Sequence, residues 1–169
     1  MSTTPVARTQ LGDAILNGTW WLDVNTGTSA VPVWTPVNGV YDFKDTLDGK
    51  DVDVSDFSSD GWADSQGVGK SWGVDLKVWR KRQLAAAAYD PGQEFLRLHA
   101  GESAEIRFYE MSGDGTTASG HPRVEAYQGR VAVKWSPDGG KVDDAKSVSV
   151  SLTGKGKRTS ITHPKPNTP

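Results

Sequence analysis

The chain has 169 residues, of which 36% are hydrophobic and 24% charged, with a formal net charge of −2. That length supports one domain with its own core. The lack of cysteine excludes disulfides and thiolate metal centres, the charge balance lacks the basic footprint of a stable nucleic-acid binder, and no run reaches the ~18 apolar residues of a membrane-spanning helix.

Residues 1–17 are small and polar and read as a flexible N-terminal arm. They lack the long apolar run of an export signal, so synthesis in a cytoplasm without export is expected. Residues 18–24, GTWWLDV, form the first strand signal and end at the turn-prone Asn25-Thr26-Gly27-Thr28. Trp20 and Trp21 are adjacent, so they must point to opposite faces. Residues 33–43 follow as a strand whose Pro36 argues for an edge or a bulge.

Residues 41–66 hold eight Asp against Lys44 and Lys50, a net of −6. Residues 51–57 alternate briefly, but the whole stretch of about 44–70 is polar and reads as a long acidic loop. Loops of that length are functional or disordered. Trp62 lies inside it and reads as an anchor between subunits, since tryptophan is enriched in interface hot spots.

Residues 71–80, SWGVDLKVWR, alternate clearly. Trp72, Val74, Leu76 and Val78 share one face, which is the period of a strand with one buried side. The helix signal is at 89–100: Asp90 suits the N-cap, Pro91 the first turn and Gln93 the capping-box position, with Phe95 and Leu98 as the apolar face. Ala85 to Ala88 are compatible with another helical turn. Residues 104–111 alternate, and 125–135 and 147–154 flank the turn Ser136-Pro137-Asp138-Gly139-Gly140 as a hairpin. Residues 159–162 extend the sheet. Residues 163–169, with three prolines, read as an extended tail.

The expected fold is mainly β, a β-sandwich or open barrel with one flanking helix. It forms a single domain over 18–162.

Motifs for chemistry are missing. Gly69-Lys70-Ser71 imitates the end of a phosphate-binding loop, but Asp64 stands where the first glycine is needed and a strand follows. His99, His121 and His163 lack metal-ligand spacing. Asp51, Asp53 and Asp56 fall short of a calcium loop, because Asp56 occupies the position of the required glycine. No catalytic, cofactor or metal residue is assigned, and the chain is not expected to be an enzyme.

The ordered segments resemble a known family. Residues 21–40, the string Ser59-Asp60-Gly61-Trp62, SWGVDLKVWRKR, YDPGQ with Leu96 and Arg97, IRFYE, EAYQGRVAVKWSPDGG and VSVSLTGKGKRTSIT together resemble the tail tube proteins of long, non-contractile-tailed bacteriophages. They are most similar to those of phages infecting actinobacteria. The resemblance spans about residues 22–162. It implies a structural virion protein that forms hexameric rings stacked head to tail into a hollow tube. Each subunit gives strands to a shared barrel, and a long loop and the terminal arms join successive rings. Double-stranded DNA passes through the lumen transiently and without sequence preference. The implied partners are further copies of the chain, a tape-measure protein, the tail terminator and distal tail proteins; the location is the virion tail, assembled in the host cytoplasm.

Two surfaces are expected on this basis. Residues 141–169 carry six basic residues against Asp143 and Asp144, a net of +4. The acidic Asp42, Asp45, Asp48, Asp51, Asp53, Asp56, Asp60 and Asp64, with Trp62, are therefore set against Lys155, Lys157, Arg158 and Lys165 of a neighbouring ring, because head-to-tail stacking needs two different complementary surfaces. A lumen wall must let DNA slide, so a dense basic lining is disfavoured. Ser147, Ser149, Ser151 and Thr153, alternating with apolar residues, are one lumen candidate; Asp51 and Asp53 are a second. The alternatives are a β-sandwich module binding carbohydrate or protein through exposed tryptophan, another component of a tail or tail-like particle, and, last, a hydrolase.

Overall fold

A computed structural model describes residues 20–56, 58, 60–111 and 123–165. The expected arm over 1–17, His121 and the last four tail residues lie outside that set. Seven strands and one helix follow in order: β1 (Trp20–Asn25), β2 (Trp34–Pro36), β3 (Val40–Asp53), β4 (Ser65–Trp79), α1 (Pro91–Leu98), β5 (Ser103–Glu110), β6 (Ala126–Pro137) and β7 (Ser147–Ser160). The strands form one antiparallel sheet in the order β2-β1-β5-β6-β7-β4-β3.

The sheet rolls on itself. Trp20 of β1 stacks on Phe43 of β3 at 5.4 Å between ring centres, although these strands lie near opposite ends of the order. Phe108 sits between the two walls, within 6.3 Å of Trp20, Phe43, Trp72 and Tyr127. The alternating residues Val74, Leu76 and Val78 of β4, Val148, Val150 and Leu152 of β7, and Ile106 and Phe108 of β5 line this interior. The expected open barrel is thus one continuous sheet closed by side chains and not by backbone pairing. Within one wall, Asp45 of β3 and Arg158 of β7 form an ion pair at 2.8 Å across the intervening β4, and the Arg158 guanidinium lies 4.1 Å from the Tyr127 ring centre.

Trp72 is core, as its alternation predicts, and its indole rests on Gly129 and Gly154. A Cβ on either glycine would come within 2.5 Å of that ring. The indole N–H donates to the Gly156 carbonyl at 2.8 Å, which satisfies the one polar atom of the buried ring.

The helix covers the end of the roll where β4 finishes. Asp90 accepts from the Gln93 N–H at 3.0 Å, and Pro91 occupies the first turn. The capping box is only half made. The Gln93 side chain donates instead to the carbonyls of Asn38 and Trp79, at 2.6 and 3.1 Å, tying the helix to the start of β3 and the end of β4. The buried face is Gly92, Gln93 and Leu96, while Leu98 is exposed. Phe95 only leans on the core. The run Ala85 to Ala88 is turn and bend between bridged Arg82 and Tyr89, not a helical turn.

The main correction concerns the stretch 44–70. It is not a loop but most of a long hairpin, in which β3 and β4 pair from Val40/Val78 to Asp53/Ser65. Every described residue from 47 to 71 is exposed. With solvent on both faces there is no apolar alternation to reveal a strand, yet backbone pairing needs none. The separate strand expected at 51–57 is the end of β3. The strand expected over 33–43 is divided between the three-residue β2 and the start of β3.

Candidate assembly surfaces

The solvent face of β3, β4, β7 and β6 is built from cross-strand rows. One row reads Lys44, Asp75, Ser151, Lys134; the next reads Asp42, Lys77, Ser149, Ser136. The serines are not free hydroxyls. Ser147 and Ser149 both donate to Asp138, at 2.6 and 2.5 Å, and Ser151 donates to Asp75. Those two donors hold the Asp138 carboxyl below the usual carboxylate range. Thr153 lies opposite Gly73 and Ala132 and is exposed. Together with Asp138, these rows carry Lys44, Lys77 and Lys134 against Asp42, Asp75 and Asp138, three charges of each sign. Higher up, Glu105 faces Arg130, which faces Lys155, and the Lys155 ammonium donates to Ser103 at 2.8 Å. The face is mixed in sign throughout. Alternation over 71–80 leaves Asp75 and Lys77 on the face opposite Val74 and Leu76, but their place beside the β7 serines is set by strand pairing, and Asp138 reads in sequence only as a turn residue.

Asp51 and Asp53, the second lumen candidate, do not join this face. They stand out in the hairpin, past a register shift between Lys50 and Asp51. Asp48 is exposed near the hairpin root. At the far end Val54 N–H donates to the Asp64 carbonyl, and Asp53 accepts from the Ser55 N–H and hydroxyl, which lowers its pKa. Beyond them Asp60 and Gly61 take positive φ, 53° and 81°, and turn the chain into Trp62, which is 81% exposed. Residues 51–64 hold five Asp and no Lys or Arg.

The basic candidates fall in two places. Lys157 and Arg158 lie beside the hairpin root, where Leu47, Lys70, Trp72 and Tyr127 border the same groove. Arg158 is engaged with Asp45 of its own chain, so this pair of the expected contact is intramolecular. Lys165 sits elsewhere, with its ammonium 5.8 Å from the centre of Trp21.

Sequence reading missed a cluster beside Lys165. On the outer face of β1 and β5, buried Asp23 accepts from Arg107 Nε at 2.8 Å and from the Tyr109 hydroxyl at 3.1 Å. Burial and the Asp23 carboxylate push the Tyr109 phenol up to about 12. His163, also buried, meets the Tyr109 ring edge-on and pairs with the Glu110 carbonyl at 2.7 Å. Nothing in the sequence marks Asp23 as buried, because its neighbours Leu22 and Val24 claim the core face.

Among the described residues no group of three or more His, Asp or Glu could hold a metal ion, and no helix is long and apolar enough to cross a membrane.

Among the described residues, the rolled antiparallel sheet, the helix closing one end and the projecting hairpin match the fold of solved tail tube subunits. Specifically, a chain from the tail of the empty gene transfer agent particle, refined with C6 symmetry, aligns with TM-score 0.61 at 16% identity, covering 88% of this chain and 100% of that one. The SPP1 tail tube subunit aligns with TM-score 0.62 at 12% identity, over 88% of this chain and 80% of that one. A chain of the anti-feeding prophage baseplate aligns with TM-score 0.57 at 6% identity, over 89% and 98%. No protein-family model matches the chain, and no curated protein sequence does.

Proposed function

We propose that this chain is the structural subunit of a phage tail tube, acting by self-assembly and not by catalysis. Hexameric rings stack head to tail, and the hollow shaft carries double-stranded DNA to the host. The observation that carries this reading is the outer edge of β3, which runs for 14 residues, is the last strand of the sheet and has no strand paired to it among the described residues. A long open edge is a template for pairing with another chain, and continued pairing round a ring would close a barrel of strands from several copies. The mixed-sign, hydroxyl-bearing sheet face then becomes the lumen wall. Its balanced charge would let a polyanion slide, where a basic lining would hold it through counterion release.

The resemblance to long, non-contractile tails, those of actinobacterial phages above all, supports assembly in the host cytoplasm around a tape-measure protein, with tail terminator and distal tail proteins at the ends. The acidic hairpin and Trp62 reach the neighbouring ring. Negative-stain electron microscopy of concentrated purified protein tests this: hollow tubes of stacked rings are expected. Single globules at every concentration would overturn it, and glycan binding by those globules through Trp21 or Trp62 would install the binding-module reading instead.

A further inference from the structure

The two ends of the sheet differ in charge and shape. β4 runs from the hairpin to Trp79, where Trp79 pairs with Ser147 and the turn between β6 and β7 folds over Arg80. At that end, away from the hairpin, lies a recess of about 680 Å³. Its floor is Arg80, with the guanidinium carbon 3.9 Å from the Tyr89 ring centre and 5.4 Å from that of Trp135. Gln93 and Glu94 fix the guanidinium from behind. The rim bears Arg97, Lys141 and Lys146, and the fully exposed Val142. The acidic rim residue, Asp144, is exposed and accepts from the Lys141 backbone N–H at 2.7 Å. Counting Glu94 as well, four cations face two carboxylates. The recess is an aromatic and cationic seat.

The hairpin tip is its complement: the exposed Trp62 is flanked by Asp60 and Asp64, in a stretch, 51–64, whose sequence holds five Asp and no Lys or Arg. We infer that Trp62 of one copy seats in the Arg80–Tyr89–Trp135 recess of another, with Asp60 and Asp64 meeting Lys141 and Lys146. The 15 residues of β4 separate the two ends by about 45 Å, so a chain cannot fill its own recess. A tip at one end and a seat at the other make a heterologous contact that repeats without closing, which is the geometry of a stack. This inference rests on the stacked-tube reading and names the seat within it. It also separates the hairpin from the basic groove at its own root, beside Lys157, which lies at the wrong end for a head-to-tail partner.

The chain has no cysteine, so introduced pairs report contact directly. Ala63, Val142 and Lys157 are all exposed, and cysteine there leaves the barrel intact. Tubes of Ala63→Cys with Val142→Cys, oxidised and run on a denaturing gel, are expected to give a ladder of covalent oligomers. Ala63→Cys with Lys157→Cys is expected to give none. Trp62→Ala is expected to raise the protein concentration needed for tubes on the order of tenfold or more. A ladder from the Lys157 pair, or none from the Val142 pair in intact tubes, overturns the seat while the tube stands. Failure of the wild-type chain to form tubes removes the stacked-tube reading and this inference with it.

Discussion

Trp72 shows how a single side chain dictates its neighbours. An indole lying flat across β6 and β7 leaves no volume for a side chain at Gly129 or Gly154. Because the ring is held by its own hydrogen bond to Gly156, it cannot swing aside to accept a methyl group. Gly154→Ala is therefore expected to cost about 1–3 kcal/mol through overpacking, read as a lower denaturant midpoint with an unchanged slope. Tyr109 makes a second residue-scale prediction. Its folded-state pKa of about 12 lies above the unfolded value of 10.0, so between those pH values the unfolded chain sheds the phenolic proton first. Stability is then fully present below pH 10 and falls as pH rises toward 12, by on the order of 2 kcal/mol. Urea titrations across that window should show the loss in the wild type and a shallower one in Tyr109→Phe.

At the scale of elements, α1 is held by contact with backbone more than by its own apolar face. A Cβ at Gly92 would stand 2.2 Å from the Pro36 carbonyl oxygen, and that carbonyl belongs to the main chain of β2. Gly92→Ala is expected to lift the helix from the sheet at a cost of about 3 kcal/mol, visible as fast amide exchange through 93–98 while the exchange of β7 is unchanged. Sequence periodicity located this helix, its N-cap, the inner half of β4, and β5, β6 and β7, because each leaves a period of 3.6 or 2. It could not find the outer half of the β3–β4 hairpin, where Asp48 to Asp53 and Ser65 to Ser71 face water on both sides. Nor could it see that Asp45 is paired: an aspartate on β3 reads like any other acid until Arg158 is brought to it from 113 positions along the chain. The serines of β7 were legible as a hydroxyl face, but the carboxylates that accept from them come from other elements.

For the whole molecule, the barrel and the hairpin are energetically separate. The core cluster ends at Phe43 and Trp72, and nothing beyond Leu47 on one strand or before Ser71 on the other is buried. Replacing residues 50–69 by a two-residue Asn-Gly turn between Gly49 and Lys70 should therefore leave the thermal midpoint of the isolated subunit within a few degrees of wild type. The same variant should form no tubes under conditions where the wild type does. A collapse of the thermal midpoint on truncation would mean that the hairpin belongs to the fold itself.

A segment that rests on no part of its own barrel answers to only one master. Substitutions within it leave folding untouched and are felt solely at whatever surface receives it, so lineages could rewrite their partner preference there without re-solving the packing problem beneath. Exchanging this outcrop between two such chains would then be a route to redirecting who recognises whom, with the rolled sheet serving as an indifferent carrier.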